Sequence, residues 1–190
     1  MTSIETTTAR YGAVAVALAP AVMFVALVAH PLIMVLPDSV AIAAAVEDNP
    51  TRWGLVHLLT VIGIALTALA FVAIRARLRD AGEQRYSRWA LPWVIVGTTL
   101  YGFLPGLEFA PLAAARTGGD VAAAQQTLAP WFIPVLAASA IAFAVGAVGF
   151  AKAIASSAIL GKTLTWVVFA ALIVLAVSRF VPAGLAQFYL

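Results

Sequence analysis

The amino-acid sequence predicts an all-α integral membrane protein, on the strength of its composition and the length of its apolar stretches. Of the 190 residues, 64% are hydrophobic and only 10% are charged, and the mean hydropathy is +1.04. A soluble domain has roughly 45–50% apolar and about 25% charged residues. A soluble fold of this size could not bury so much apolar surface, so we expect the lipid bilayer to cover most of it.

Five apolar stretches are long enough to cross the membrane. A helix needs about 20 mainly apolar residues to cross a hydrocarbon core about 30 Å thick, and irregular backbone cannot face lipid. The sequence therefore predicts a five-helix transmembrane bundle that forms a single domain over residues 1–190. The predicted spans are Tyr11–Leu36, Trp53–Ile74, Trp89–Pro111, Pro130–Ala151 and Thr163–Pro182.

The distribution of basic residues predicts the orientation. The longest hydrophilic link, Arg75–Arg88, contains five arginines, and cytoplasmic loops of membrane proteins are enriched in Lys and Arg. With this link in the cytoplasm, the N-terminus is inside and the C-terminus is outside. The chain resembles small, Ala-rich, multi-span bacterial membrane proteins, so the bacterial inner membrane is the expected location.

The basic excess does not predict a nucleic-acid partner. The net charge is +3 and the pI is about 9.7, but the arginines concentrate in one loop, as orientation signals do. The chain has no cysteine, which excludes disulfides and thiolate metal sites.

The two predicted outer loops resemble each other. Pro31-Leu32 and Pro111-Leu112 each lead to an Ala-rich stretch and then to a tryptophan, Trp53 or Trp131. Each loop could hold a short interfacial helix, begun by Asp38-Ser39 or by Gly119-Asp120. This pattern favours a duplicated 2+2 hairpin repeat followed by one more helix, as found in some transporters. Chance similarity between Ala-rich loops is the alternative.

Four ionisable residues lie at a similar depth near the outer ends of the predicted spans: His30, His57, Glu108 and Arg179. Ionisable groups inside a membrane are costly and usually face the bundle interior or a wet cavity. Because a single site explains four such residues more simply than four accidents do, we predict one polar pocket below the outer surface, walled by Tyr101, Trp53 and Trp131.

Helical spacing supports this pocket, because residues three or four positions apart share one helix face. The predicted inner faces are Ala19, Met23, Ala26 and His30; His57, Thr60, Ile64 and Thr67; and Thr98, Tyr101, Pro105 and Glu108. Span four offers a face of small residues suited to close helix packing, made of Ser139, Ala142, Gly146 and Gly149. Pro31 is expected to kink span one next to His30.

The residue types allow several kinds of site. His30 and His57 could form hydrogen bonds, transfer protons, or supply both axial ligands of a b-type haem. With Glu108 they could also form a two-histidine, one-carboxylate site for a divalent metal. Glu108 and Arg179 could be a structural ion pair, or Arg179 could bind an anionic or carbonyl group of a ligand.

Three hypotheses for the function remain open from the sequence. The first is a redox or binding module whose pocket holds haem, a metal, a quinone or another small amphiphile. The second is a structural or accessory subunit of a larger membrane complex or a homo-oligomer. The third is a membrane enzyme that acts on a lipid-soluble substrate, with Glu108 or a histidine as general base.

Overall fold

The computed structural model describes residues 3–33, 38–157 and 159–178, and this part of the chain is helical without any strand. The described chain contains seven helices. They are α1 (Ser3–Ala29), α2 (Ser39–Asp48), α3 (Pro50–Asp80), α4 (Tyr86–Leu107), α5 (Phe109–Thr117), α6 (Val121–Ser157) and α7 (Lys162–Ser178). The predicted all-α class is therefore confirmed.

Four of the helical stretches are long and apolar enough to cross a membrane: residues 10–29 of α1, the whole of α3, the consecutive pair α4–α5, and α6. Each overlaps one of the first four predicted spans with different bounds, and this supports a membrane-embedded protein. The described part of α7 is also apolar but has only 17 residues, so it does not reach the length of a full span.

Pro31 ends α1, and the predicted kink inside span one is wrong. The helix stops at Ala29, and the backbone N–H of His30 donates to the carbonyls of Ala26 and Leu27 at 3.0 and 3.2 Å. Proline has no N–H and disfavours a helical conformation of the residue before it. His30 therefore lies just beyond the last turn of the helix.

The long helices pack in the order α1, α3, α4, α6, α7, with each helix against the next. The α4–α6 contact is the most extensive and depends on glycine. A Cβ atom at Gly97 of α4 would lie 2.6 Å from the backbone nitrogen of Phe143, and one at Gly146 of α6 would lie 2.7 Å from that of Val94. The predicted small-residue face of span four is thus confirmed as a close packing surface.

The short helices α2 and α5 lie at one end of the bundle, which we call the α2/α5 end. The Asp38 carboxylate accepts from the backbone N–H groups of Val40 and Ala41 at 3.1 and 3.0 Å, as predicted for a helix start. The Asp120 carboxylate accepts from Ala123 N–H at 2.9 Å, but it begins the long helix α6. The second short helix, α5, instead comes before Asp120, because it continues the chain directly after α4.

The α2/α5 end is closed by an apolar cluster around Trp53. The buried members come from four different segments and are Ile33, Ile42, Val46, Trp53 and Val121. The first turn of α3 is also tied to the end of α1, because Nε of Arg52 donates to the Ala29 carbonyl at 2.8 Å. These contacts fix the position of the residues on the first two turns of α3.

At the opposite end, Glu83 organises the tight connection between α3 and α4. Its carboxylate accepts from the backbone N–H groups of Tyr86 at 2.7 Å and of Ser87 at 3.1 Å. Burial of Glu83 acts to raise its pKa, but hydrogen bonds from the Ser87 side chain and from the N–H groups of Tyr86, Ser87 and Arg85 outweigh this, and the pKa is lowered. The charged carboxylate therefore stabilises the start of α4.

Replacing Glu83 with alanine is expected to lower the free energy of unfolding by about 0.5–2 kcal/mol at pH 7, the usual value of a lost helix cap. Because the folded-state pKa lies below the ordinary value of 4.5, this stabilisation is present above pH 4.5 and is lost as the pH falls through the folded pKa. Thermal unfolding in detergent should show a smaller difference in stability between Glu83→Ala and the unmodified chain at pH 3.5 than at pH 7. Asp80→Ala is the control, since Asp80 is exposed and pairs with exposed Arg79. An equal loss of stability in both variants would contradict the prediction.

Candidate functional site

A cavity of about 520 Å³ lies between α1, α3, α4 and α6, with two leucines of α7 at its side. On α3 its lining begins at Trp53 and ends at Ile74. At a rise of about 1.5 Å per residue, these two residues are about 32 Å apart along the helix axis. The cavity is therefore elongated and extends along most of the bundle.

The cavity is lined by the helix faces that the sequence predicts. Every residue of the three predicted inner faces contributes to the lining, as does Ser139 of α6. Most of the remaining lining is aliphatic or aromatic, with polar groups concentrated at the α2/α5 end. His30, His57, Glu108 and Tyr101, all predicted ligand-binding candidates, lie around the same cavity.

Trp53 holds the two histidines together at the α2/α5 end. The ring centroids of Trp53 and His57 are 4.4 Å apart, those of Trp53 and His30 are 5.5 Å apart, and those of His30 and His57 are 5.2 Å apart. Trp53 is 2% exposed and its Nε1 donates to the backbone carbonyl of Glu108 at 3.0 Å. One side chain thus links the site residues of α1, α3 and α4.

The hydrogen bond of His57 determines which ring nitrogen can serve a ligand. Nδ1 lies 2.7 Å from the backbone carbonyl of Trp53. A carbonyl can only accept, so Nδ1 must carry the proton of the neutral ring and Nε2 keeps the lone pair. His57 is therefore positioned as a hydrogen-bond acceptor.

Glu108 is paired with a glutamine that the sequence reasoning missed. It lies in the break between α4 and α5, is 6% exposed, and its Oε1 accepts from Nε2 of Gln125 on α6 at 3.2 Å. Oε2 of Glu108 and Oε1 of Gln125 are both buried and have no hydrogen-bond partner within residues 3–33, 38–157 and 159–178. No local sequence signal identifies this glutamine, because it lies in the Ala-rich stretch predicted as an outer loop.

Two other predicted site residues have different outcomes. Arg179 lies outside the described residues, so its pairing with Glu108 or with a ligand stays a prediction. Trp131 is 69% exposed and does not contribute to the cavity wall; this prediction was wrong because the residue occupies the outward face of α6.

The haem and metal predictions for His30, His57 and Glu108 are not supported. Within residues 3–33, 38–157 and 159–178, no group of three His, Cys, Asp or Glu side chains could hold a metal ion. Axial haem ligands must lie on opposite faces of the porphyrin. Here the two imidazole rings contact each other edge to face and also contact Trp53, so no porphyrin fits between them.

The site therefore combines a polar end with a long apolar interior. Glu108 is the only acidic residue in the described lining. Gln125 and Trp53 donate to it, and both histidine rings contact Trp53. Cavities of about 300–1,000 Å³ with a few convergent polar groups are typical of small-molecule sites. The arrangement can hold a molecule with a small polar head and a long apolar body.

No protein-family model matches this chain, and neither the curated proteins nor the solved structures give a significant match.

Proposed function

We propose that this chain is a membrane-embedded binding protein for a small elongated amphiphile. The head of the ligand lies beside His57 and Glu108, and its apolar body extends between α1, α3, α4 and α6. The single observation that carries the proposal is the shape and lining of the cavity, which has its histidines and its carboxyl group at the α2/α5 end and is mainly apolar along the rest of its length. Bilayer lipids and other membrane-dissolved amphiphiles likewise have a polar head and an apolar body.

The hydroxyl groups deeper in the cavity support binding over conduction. Thr67 donates to the Gly63 carbonyl at 2.8 Å, and Thr98 donates to the Val94 carbonyl at 2.8 Å. Because these hydroxyl protons bond within their own helices, the two hydroxyls offer no proton to an anion or to a chain of water molecules. A site that is polar at one end fits a bound amphiphile better than a path across the membrane.

A tryptophan that fills the cavity tests the proposal. Thr60 lines the cavity one turn below His57, whereas Leu58 is 51% exposed on the outer face of the same helix. We expect Thr60→Trp to reduce the amphiphile bound to the gently extracted protein at least tenfold, measured by native mass spectrometry and lipid quantification, and Leu58→Trp to have no effect. Equal occupancy in the two variants, with both folded by circular dichroism, would refute the proposal.

We also propose that α7 completes a five-span bundle whose N-terminus lies in the cytoplasm of a bacterial-type cell. The apolar residues Lys162–Ser178 and the basic link between α3 and α4 support this arrangement. The polar end of the cavity then opens toward the outer leaflet. Cysteine labelling from outside intact cells tests it: a cysteine at exposed Glu47 of α2 should react, and one at exposed Gln84 should not.

The order of the elements supports the proposed duplication. A long helix, a short helix and a second long helix occur twice, as α1–α2–α3 and then α4–α5–α6. In both halves the two long helices pack against each other, and both short helices lie at the same end. A duplicated unit of this kind would place the cavity between the two halves.

A further inference from the structure

We infer that the head group of the bound amphiphile is a hydrogen-bond donor, an alcohol or an amine, and that carbonyl, carboxylate and phosphate heads are rejected. This inference rests on the proposed function and specifies the chemical class of its ligand. It follows from how the polar side chains of the cavity use their own protons.

The hydroxyl groups that line the cavity donate to the protein itself. Apart from Tyr101, each hydroxyl in the described lining donates to a backbone carbonyl of its own helix three or four residues earlier. The donors and their distances are Thr60 at 2.9 Å, Thr67 at 2.8 Å, Thr98 at 2.8 Å and Ser139 at 2.7 Å. These hydroxyls retain only lone pairs for a ligand.

The nitrogen donors at the polar end are used in the same way. Nε1–H of Trp53 donates to the Glu108 carbonyl, and Nδ1–H of His57 donates to the Trp53 carbonyl. Nδ1 of His30 lies 2.7 Å from the Pro31 carbonyl, which can only accept. What the Trp53–His57 pair presents to a ligand is therefore the lone pair on Nε2 of His57.

Two buried oxygens near the polar end have no partner in the part of the chain that the structure describes. Oε1 of Glu108 already accepts from Nε2 of Gln125, and this contact fixes the glutamine amide with its nitrogen toward the carboxylate. Oε2 of Glu108 and Oε1 of Gln125 are left buried and without a hydrogen-bond partner among the described residues. Buried acceptors that are already desolvated are strongly favoured to bind a donor.

The residue types at this end also discriminate among head groups. Glu108 is the only acidic residue of the described lining, and neither Lys nor Arg contributes to it. A carboxylate, phosphate, ketone or quinone head is an acceptor, and it would receive no proton from Nε2 of His57 or from the four hydroxyls named above. An alcohol supplies one donor, and an ammonium supplies three donors together with the opposite charge.

Binding of a matched set of amphiphiles, each with a chain of sixteen carbons, to the full-length protein in mild detergent tests the inference. The set comprises hexadecan-1-ol, hexadecylamine, methyl hexadecyl ether, hexadecan-2-one and hexadecanoate, each measured by native mass spectrometry. We expect the alcohol and the amine to bind at least tenfold more tightly than the other three. Equal or tighter binding of the ether, the ketone or the carboxylate would overturn the inference, as would binding of none of the five.

The variant Glu108→Gln separates the alcohol from the amine. It replaces an acceptor with a group that can also donate, so amine affinity should fall at least tenfold and ketone affinity should rise, while the alcohol changes less. Glu47→Gln makes the same charge change at an exposed position of the same end and should leave all five affinities unchanged. Unchanged amine and ketone affinities in folded Glu108→Gln would also overturn the inference.

Failure of this inference is distinguishable from failure of the proposed function. If the ketone or the ether binds best and Thr60→Trp still removes the bound amphiphile, the binding function stands and only the ligand class is wrong. If Thr60→Trp and Leu58→Trp carry equal amounts of lipid, the binding function itself is wrong.

Discussion

Replacing Trp53 with alanine is expected to lower the free energy of unfolding by about 3–5 kcal/mol, the range for truncation of a large buried aromatic residue. Trp53 is 2% exposed and belongs to the apolar cluster that closes the α2/α5 end. Its ring also contacts both histidine rings. The truncation would leave a hole where the first turn of α3 meets α2 and the start of α6, so binding of any amphiphile should be lost together with stability.

The variant Trp53→Phe separates the hydrogen bond of Trp53 from its packing. It retains much of the aromatic contact but removes the N–H that donates to the Glu108 carbonyl at 3.0 Å. A buried carbonyl left without a partner costs about 1–3 kcal/mol, so this variant should be intermediate in stability. Thermal unfolding in detergent measures both effects.

Trp131→Ala is the matched control for these two variants, because Trp131 is 69% exposed and packs little against the rest of the protein. Its melting temperature should stay close to that of the unmodified chain. If Trp53→Ala were no more destabilising than Trp131→Ala, the central role assigned to Trp53 would be wrong.

The helix faces of the site were predictable because two simple rules act together. Costly residues such as His57 and Glu108 are expected to face the interior of a membrane bundle, and the spacing of three and four residues then identifies their neighbours. The cavity is lined for this reason by residues such as Thr60, Ile64 and Tyr101. The positions of these faces followed from local sequence alone.

The residues that complete the site were not predictable from hydropathy. In a membrane protein, an apolar or aromatic residue can face either lipid or protein, so Trp53 and Trp131 have the same local signal and opposite exposures. Gln125 lies in an Ala-rich stretch that resembles a loop. Its role appears only when the first turns of α6 pack beside the break at Glu108. Contacts between distant segments decide both cases.

The end of α1 shows a further limit of the hydropathy argument. Apolar residues continue from Ala29 to Leu36, and a length rule extends the span across all of them. The proline at position 31 stops the helix at Ala29, because local backbone chemistry takes precedence over apolar length. His30 consequently approaches His57 from the chain that leaves the helix.

The second large effect is expected at the contact between α4 and α6, where Gly97→Ala and Gly146→Ala should each destabilise the fold by about 1–3 kcal/mol, as overpacking does. The added methyl groups would lie 2.6 Å from the Phe143 backbone nitrogen and 2.7 Å from the Val94 backbone nitrogen, respectively. Backbone atoms within a helix cannot move aside individually, so the two helices must separate.

Gly102→Ala, on the same helix α4, provides a control with the opposite expected sign. A Cβ atom there would lie 3.5 Å from Cγ2 of Ile64, an ordinary contact, and alanine favours a helix over glycine by up to about 1 kcal/mol. Thermal unfolding should therefore rank Gly102→Ala at or above the unmodified chain and both other variants below it. Equal stability of all three variants would mean that α4 and α6 do not depend on close backbone approach.

Gly97 also lines the cavity. Separation of α4 from α6 should therefore weaken amphiphile binding as well, which connects the packing of this pair to the proposed function.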